Sequence, residues 1–299
     1  MARKTAASRS TANLRRTSSG RIAPEKIRRF RRAVLEYYHR HGRGAQDLPW
    51  RAARDPYRIL VSEFMLQQTQ VDRVTPKYRE FLREFPTLRC LAAAGLDRVL
   101  SVWRGLGYNR RARNILRCAR AVMDNHDGRL PRDYEALIAL PGVGQSTAGA
   151  LLNFAFSIPT VFIETNIRAV YIHHFFPRAR VVADRDLLPL LERTMDRRNP
   201  REWYYALMDY GVSLKRSLKD DPGRRSTIYK KQSPFKGSRR EIRGGILKLL
   251  VEIPGGMTVF GISRSLGMDI DRVNGVLDGL WRDGFLEKKE RRYRIIGRS

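Results

Sequence analysis

Cysteine is nearly missing from this 299-residue chain: Cys90 and Cys118 are too few for a disulfide framework or a four-thiolate metal site. That scarcity fits a reducing compartment. No run of eighteen apolar residues occurs, so no segment reads as a membrane span. Acidic residues are also in short supply, 30 against 59 Lys plus Arg. The resulting formal charge of +29 repels itself unless a polyanion is the usual partner. A solvated basic surface kept for solubility is the plainer alternative, but an excess this large and this rich in arginine points to nucleic acid. What is present is an apolar share of 42%, enough to give one large or two moderate domains a core.

Composition shifts divide the chain into four. Residues 1–24 carry six Lys or Arg and no acid among Ser, Thr and Ala, the composition of a disordered arm that grips phosphates. An organelle transit peptide has a similar composition. Residues 25–214 show helical periodicity with short polar breaks and no sustained β alternation, which predicts an all-α body. Residues 215–240 hold ten Lys or Arg interspersed with Pro, Gly and Ser, and read as a basic linker. Residues 241–299 give three helices, the third from about Ile270 to Trp281, and two short β-like pieces around "EKKERR". That order predicts a small winged helix-turn-helix that binds DNA, or a module that merely caps the body.

Within the body, Asp55-Pro56 supplies a cap and a first-turn proline for a helix through Ile59, Leu60, Glu63 and Leu66. Asp133 opens another helix that stops at Pro141-Gly142. In "LPGVGQSTAG", Leu140 to Gly149, Gly142 and Gly144 let backbone N–H groups approach a phosphate, and the following helix adds its positive dipole end. Two carboxylates stand out. Glu63 lies beside Phe64 and Met65, where desolvation should raise its pKa; pairing with an arginine is the alternative. Glu164 follows the apolar run Val161-Phe162-Ile163 and precedes the helical spacing Ile167, Val170, Tyr171, Phe175, which places it at a helix N-terminus.

Four ordered blocks, "LPWR" (Leu48 to Arg51), "SEFMLQQTQV" (Ser62 to Val71), "WRGLGYNRRARN" (Trp103 to Asn114) and "LPGVGQSTAG", closely resemble the helix-hairpin-helix (HhH-GPD) DNA glycosylases. Within them they are most similar to the A/G-mismatch adenine glycosylases (MutY). The resemblance covers roughly Lys26 to Gly211. It implies a two-lobed helical enzyme that flips a nucleotide out of duplex DNA and hydrolyses its N-glycosidic bond. By the resemblance, Glu63 is the acid that protonates the departing base, Glu164 falls where the family has its catalytic Asp, and Asn166 assists the water. Gln68, in the run Gln67-Gln68-Thr69, enters the stack near the lesion, and Tyr108 is the wedge beside the opposite base. Trp50 and Arg51 lie around the base pocket, and Leu140, Gly142, Val143, Gly144, Gln145 and Ser146 form the DNA-binding hairpin. The chemistry agrees: one carboxyl should be protonated for the leaving group and the other ionised for an oxocarbenium-like sugar. Ser146 stands where related lyases carry a Schiff-base lysine, so a monofunctional glycosylase is expected.

The chain also departs from that family. It lacks the four cysteines of the family's iron–sulfur cluster, so no cluster and no other cofactor is expected, apart from a monovalent cation that the hairpin could hold. Glu164 is one methylene longer than the family Asp, Tyr205 replaces an amide or acid in the base pocket, and the winged helix stands in for the domain that reads 8-oxoguanine. Excision of deaminated or oxidised pyrimidines is therefore an alternative, as is a non-catalytic protein that binds lesions or mismatches. The expected partner is double-stranded DNA carrying a lesion or mismatch, bound by a monomer with no membrane association, in the cytoplasm at the nucleoid.

Overall fold

Local caps set where the helices begin. In the computed structural model, which describes residues 22–44 and 46–297, Asp55 accepts from the Tyr57 amide and Asp133 from the Ala136 amide, as the sequence predicts. Each such cap contributes about 1 kcal/mol. The expected basic arm lies outside the described residues except for its last three positions. Among the described residues the chain forms fourteen α-helices: α1 (Pro24–His41), α2 (Pro56–Leu66), α3 (Val71–Glu84), α4 (Leu88–Ala93), α5 (Leu96–Trp103), α6 (Arg110–Asn125), α7 (Tyr134–Ile138), α8 (Gln145–Phe156), α9 (Thr165–Phe175), α10 (Asp184–Thr194), α11 (Pro200–Ser217), α12 (Arg239–Glu252), α13 (Val259–Leu266) and α14 (Ile270–Arg282). Strands β1 (Leu286–Lys289) and β2 (Arg292–Ile295) pair antiparallel, with Leu286 opposite Ile295. None of the described helices is long and apolar enough to cross a membrane.

The helices of the body sort into two lobes. Helices α2 to α8 pack mainly on one another, with Phe81 edge-on to Trp103 at 5.9 Å. Helices α1, α9, α10 and α11 form the other lobe around Phe30, whose ring lies 5.1 Å from Tyr171 and 5.0 Å from Phe175. Helix α8 touches both α2 and α11, so the carboxylates of α2 and of the α9 N-terminus meet where the lobes join. The all-α body is the expected class.

The C-terminal part is the expected winged helix: α12, α13 and α14 enclose Ile246, Leu250, Val273, Leu277 and Leu280, and the β1–β2 hairpin adds Leu286 and Tyr293. It docks through α12 on α5, and charge closes the junction. Arg104 bonds Glu252 at 2.9 Å, and Asp283 takes Arg110 at 2.9 Å and Arg243 at 2.8 Å.

The basic stretch from Lys215 is more structured than its composition suggests. Lys215 to Ser217 complete α11, and Pro222–Arg225 form a 3-10 turn packed on α9. Arg225 donates to the carbonyls of Phe176 (2.8 Å), Pro177 (3.1 Å) and Ala179 (3.1 Å). A guanidinium has five donors, so one arginine can satisfy the carbonyls left open where a helix ends. Counting charges does not distinguish it from a solvated one.

Candidate active site

Glu63 projects from the last turn of α2, among Ile59, Leu60, Phe64 and Met65, all buried. No described residue donates a hydrogen bond to its carboxyl or pairs with it. Burial, with the neighbouring Glu164 carboxylate, pushes it from its ordinary 4.5 up to about 8. Among the described residues, the pairing with arginine that the sequence left open is not made.

Glu164 caps α9. One carboxylate oxygen accepts the Asn166 amide at 2.7 Å and the Ile167 amide at 2.8 Å, and the other lies 3.3 Å from Asn166 Nδ2. Burial raises this carboxyl too, but the Ile167 and Asn166 N–H groups and the charges of Lys215 and Arg168 act against it. A carboxylate with such donors keeps its negative charge more readily than one with none. Of the pair, Glu63 is the one with no hydrogen-bond donor to favour its charged form.

The wall beside Glu63 is aromatic and cationic. Tyr205 is close enough for its hydroxyl to feel the Glu63 charge, stacks on Phe154 at 4.5 Å and lies 4.4 Å from the Arg51 guanidinium. Arg51 itself is held by a two-point pair with Asp209, at 2.7 and 2.8 Å, and Arg43 joins the same carboxylate at 2.6 Å. Trp50 is 4% exposed and edge-on to Tyr78 at 5.5 Å, so its packing accounts for its type.

Two strained loops project next to each other. Gln68 and Tyr108 have φ of 56° and 46°, left-handed values that cost a non-glycine residue roughly 1–3 kcal/mol. Arg111 ties them together: buried on α6, it donates to the carbonyls of Met65 (2.6 Å), Gln67 (2.5 Å) and Gly107 (3.0 Å) and to the Thr69 hydroxyl (2.8 Å). Gln67 also reaches Thr147 of α8 at 3.2 Å. Gln68 remains exposed, while the Tyr108 hydroxyl accepts from Gln232 at 2.6 Å and Arg240 at 2.9 Å.

In the hairpin between α7 and α8, a Cβ on Gly142 (φ 81°) would meet Asn114 Cβ at 2.7 Å and Phe64 Cε1 at 2.8 Å, so the turn admits only glycine. Leu140 and Val143 are buried and anchor it. Gly144, Gln145 and Ser146 are exposed at the start of α8, whose first amides no side chain caps. Ser146 turns its hydroxyl to the Ile163 carbonyl at 2.8 Å, next to Glu164.

The structure thus gathers Glu63, Glu164, Asn166 and Tyr205 in one place and puts the Gln67–Thr69 loop, Tyr108 and the hairpin on separate projections. Sequence reasoning missed Arg111, Asp209 and Lys215. Lys215 donates to Asn166 Oδ1 at 2.9 Å. The spacing of Gly211 and Lys215, one turn apart on α11, was the available signal. The residues do not fit an iron–sulfur cluster: Cys90 and Cys118 lie on α4 and α6, and the stretch after α11 holds Arg225 and its carbonyls instead of thiolates.

Residues 61–190 match the family described as HhH-GPD superfamily base excision DNA repair protein. The chain is 31% identical over 271 residues to an adenine DNA glycosylase of Mycolicibacterium smegmatis, covering 85% of this chain and 92% of the relative. It is 36% identical over 197 residues to an adenine DNA glycosylase of Buchnera aphidicola subsp. Baizongia pistaciae, with 64% of this chain matched. It spans only about half, 54%, of that relative's length. Among solved structures it is similar to a thermostable thymine-DNA glycosylase, with a TM-score of 0.58 and 25% identity over 66% of this chain and 91% of the other. A two-lobed helical body with a glycine hairpin, matched along nearly the whole of one relative, has one reading: the chain belongs to the HhH-GPD superfamily of base excision DNA repair proteins.

Proposed function

We propose that the chain is a monofunctional DNA N-glycosylase that flips a base from duplex DNA and hydrolyses its bond to the sugar. The carrying observation is the asymmetry of two neighbouring carboxyls: Glu63, without a donor, is held protonated near neutral pH, whereas Glu164 takes two backbone N–H groups. Glu63 then gives its proton to the departing base. Glu164 stabilises the cationic sugar and, with Asn166, orients water onto it. Ser146 offers no amine, so an abasic site is left intact. No cluster or other cofactor enters this chemistry. The formal charge of +29 and the uncapped start of α8 suit a phosphate backbone.

Adenine is the base named by the sequence relatives and is the first candidate. A second reading, a pyrimidine from a mispair, is favoured by Tyr205, which puts a phenol stacked on Phe154 near Glu63 where the resemblance expects an amide or acid. A panel of duplexes, each with one lesion or mismatch, decides between them. Strand breaks that appear only after alkali, on one duplex, identify the base and the monofunctional chemistry. Breaks on none, with tight binding throughout, would leave a non-catalytic lesion binder.

A further inference from the structure

Helix α11 reaches the α9 N-terminus more closely than side chains allow. A Cβ on Gly211 would lie 2.5 Å from the Asn166 carbonyl oxygen, so glycine there lets the two backbones touch. One turn further along α11, Lys215 is carried to the same residue, and its ammonium donates to Asn166 Oδ1 at 2.9 Å. An amide has one acceptor and one donor end. With Oδ1 turned to the lysine, Nδ2 faces Glu164, 3.3 Å from the second carboxylate oxygen.

We propose that Lys215 is a positioning residue for Glu164: through the Asn166 amide it fixes the hydrogen-bond direction at the carboxylate and sets a positive charge behind it. The inference rests on the glycosylase reading of Glu63 and Glu164. The cations that act on Glu164 are Lys215 and Arg168. Glu63 of α2 is the carboxyl that the Glu164 charge raises, and Arg168, on α9 itself, is already committed to Asp184 at 2.7 and 2.8 Å. On helix α8, the Ser146 hydroxyl is turned to the Ile163 carbonyl. Lys215 is the facing cation that no described carboxylate pairs with. Without it, Glu164 would hold a proton at pH values where the reaction needs its charge, and Asn166 would be free to turn its oxygen toward the carboxylate.

The test uses the full chain, its duplex from the panel above, and the variants Lys215→Met and Lys215→Arg. Single-turnover excision is followed from pH 5 to 9. Lys215→Met should lose tenfold or more in rate below pH 7, with the acidic limb moved up by about one pH unit, the usual effect of losing an opposite charge next to a carboxylate. Lys215→Arg should restore most of the rate, and DNA affinity should stay within about twofold of the parent, since no phosphate contact is removed. A Lys215→Met protein with the parental rate and limb overturns the inference. So does a loss equal at every pH that arginine does not rescue. If the parent chain excises no base, the glycosylase reading falls separately, and a carboxyl-carbon NMR titration still decides the inference. The Glu164 resonance must titrate higher in Lys215→Met than in the parent, and an unchanged midpoint rejects the role.

Discussion

The end of α2 and the start of α9 each present a glutamate to the same junction between lobes, and the two surroundings have opposite effects. At the end of a helix the free backbone groups are carbonyls, and Glu63 finds apolar neighbours and no donor. At the start of a helix the free groups are N–H, and Glu164 takes two of them, with Asn166 and Lys215 behind. In the proposed function, identical side chains become an acid and an anion because of which helix end carries them. Bringing them together adds mutual repulsion, which sends the proton to the carboxyl with fewer donors.

Removing the proton from the pair should have the largest effect. Glu63→Gln keeps the shape and removes the acid, so excision should fall by about 10²–10⁴-fold, the range of a lost general acid, while the affinity for duplex stays near the parental value. A quench-flow rate and a binding isotherm check both halves, and parental activity in this variant would end the proposed division of labour. Glu164→Gln separates charge from capping on the other side: the amide oxygen can still accept the Asn166 and Ile167 N–H groups. The melting temperature should shift little, but the rate should drop by roughly a hundredfold, as it does when a charge aimed at the transition state is lost.

The contrast also fixes a stability prediction, with a definite sign. The folded pKa of Glu63, about 8, lies above the ordinary 4.5, so the native state binds the extra proton and stability declines as pH rises from 4.5 through about 8. Glu63→Gln removes that decline. It should be neutral at pH 4 and more stable than the parent by roughly 1–3 kcal/mol at pH 8, the scale of a buried carboxyl forced to ionise. Urea titrations at the two pH values measure it. A gain equal at both would mean that ionisation of the buried Glu63 carboxyl is not its source.

Much of this arrangement was legible from local pattern. Asp55 and Asp133 cap the helices they precede, and the spacing of Ile167, Val170 and Tyr171 placed Glu164 at a helix start because a helix's apolar face repeats every turn. Gly142 of the hairpin was readable because only glycine tolerates that turn. What was not legible depends on contacts across lobes. Arg110, Arg111 and Arg113 are chemically the same in a sequence, and only folding puts the middle one under the carbonyls of two strained loops. Asp209 gave no sign of its partner Arg51, more than a hundred residues earlier. Lys215 was absorbed into a basic stretch by composition, although α11 carries it to Asn166.

The smallest expected effect asks how firmly the α9 side must be held. The Ser146 hydroxyl donates to the Ile163 carbonyl, the peptide group that leads directly into Glu164, and so links the hairpin helix to the carboxylate's backbone. Ser146→Ala leaves that carbonyl to water or to nothing, which should cost about 1 kcal/mol of stability. The Glu164 side chain is still fixed by the Asn166 and Ile167 amides, so the excision rate should fall by less than about tenfold, far below the effect of altering either carboxyl. A hundredfold loss in Ser146→Ala, measured beside Glu164→Gln, would show that α9's own N–H groups do not position the anion and that the hairpin does. The difference between the two glutamates would then belong to how the lobes are joined, and not to which helix end each one occupies.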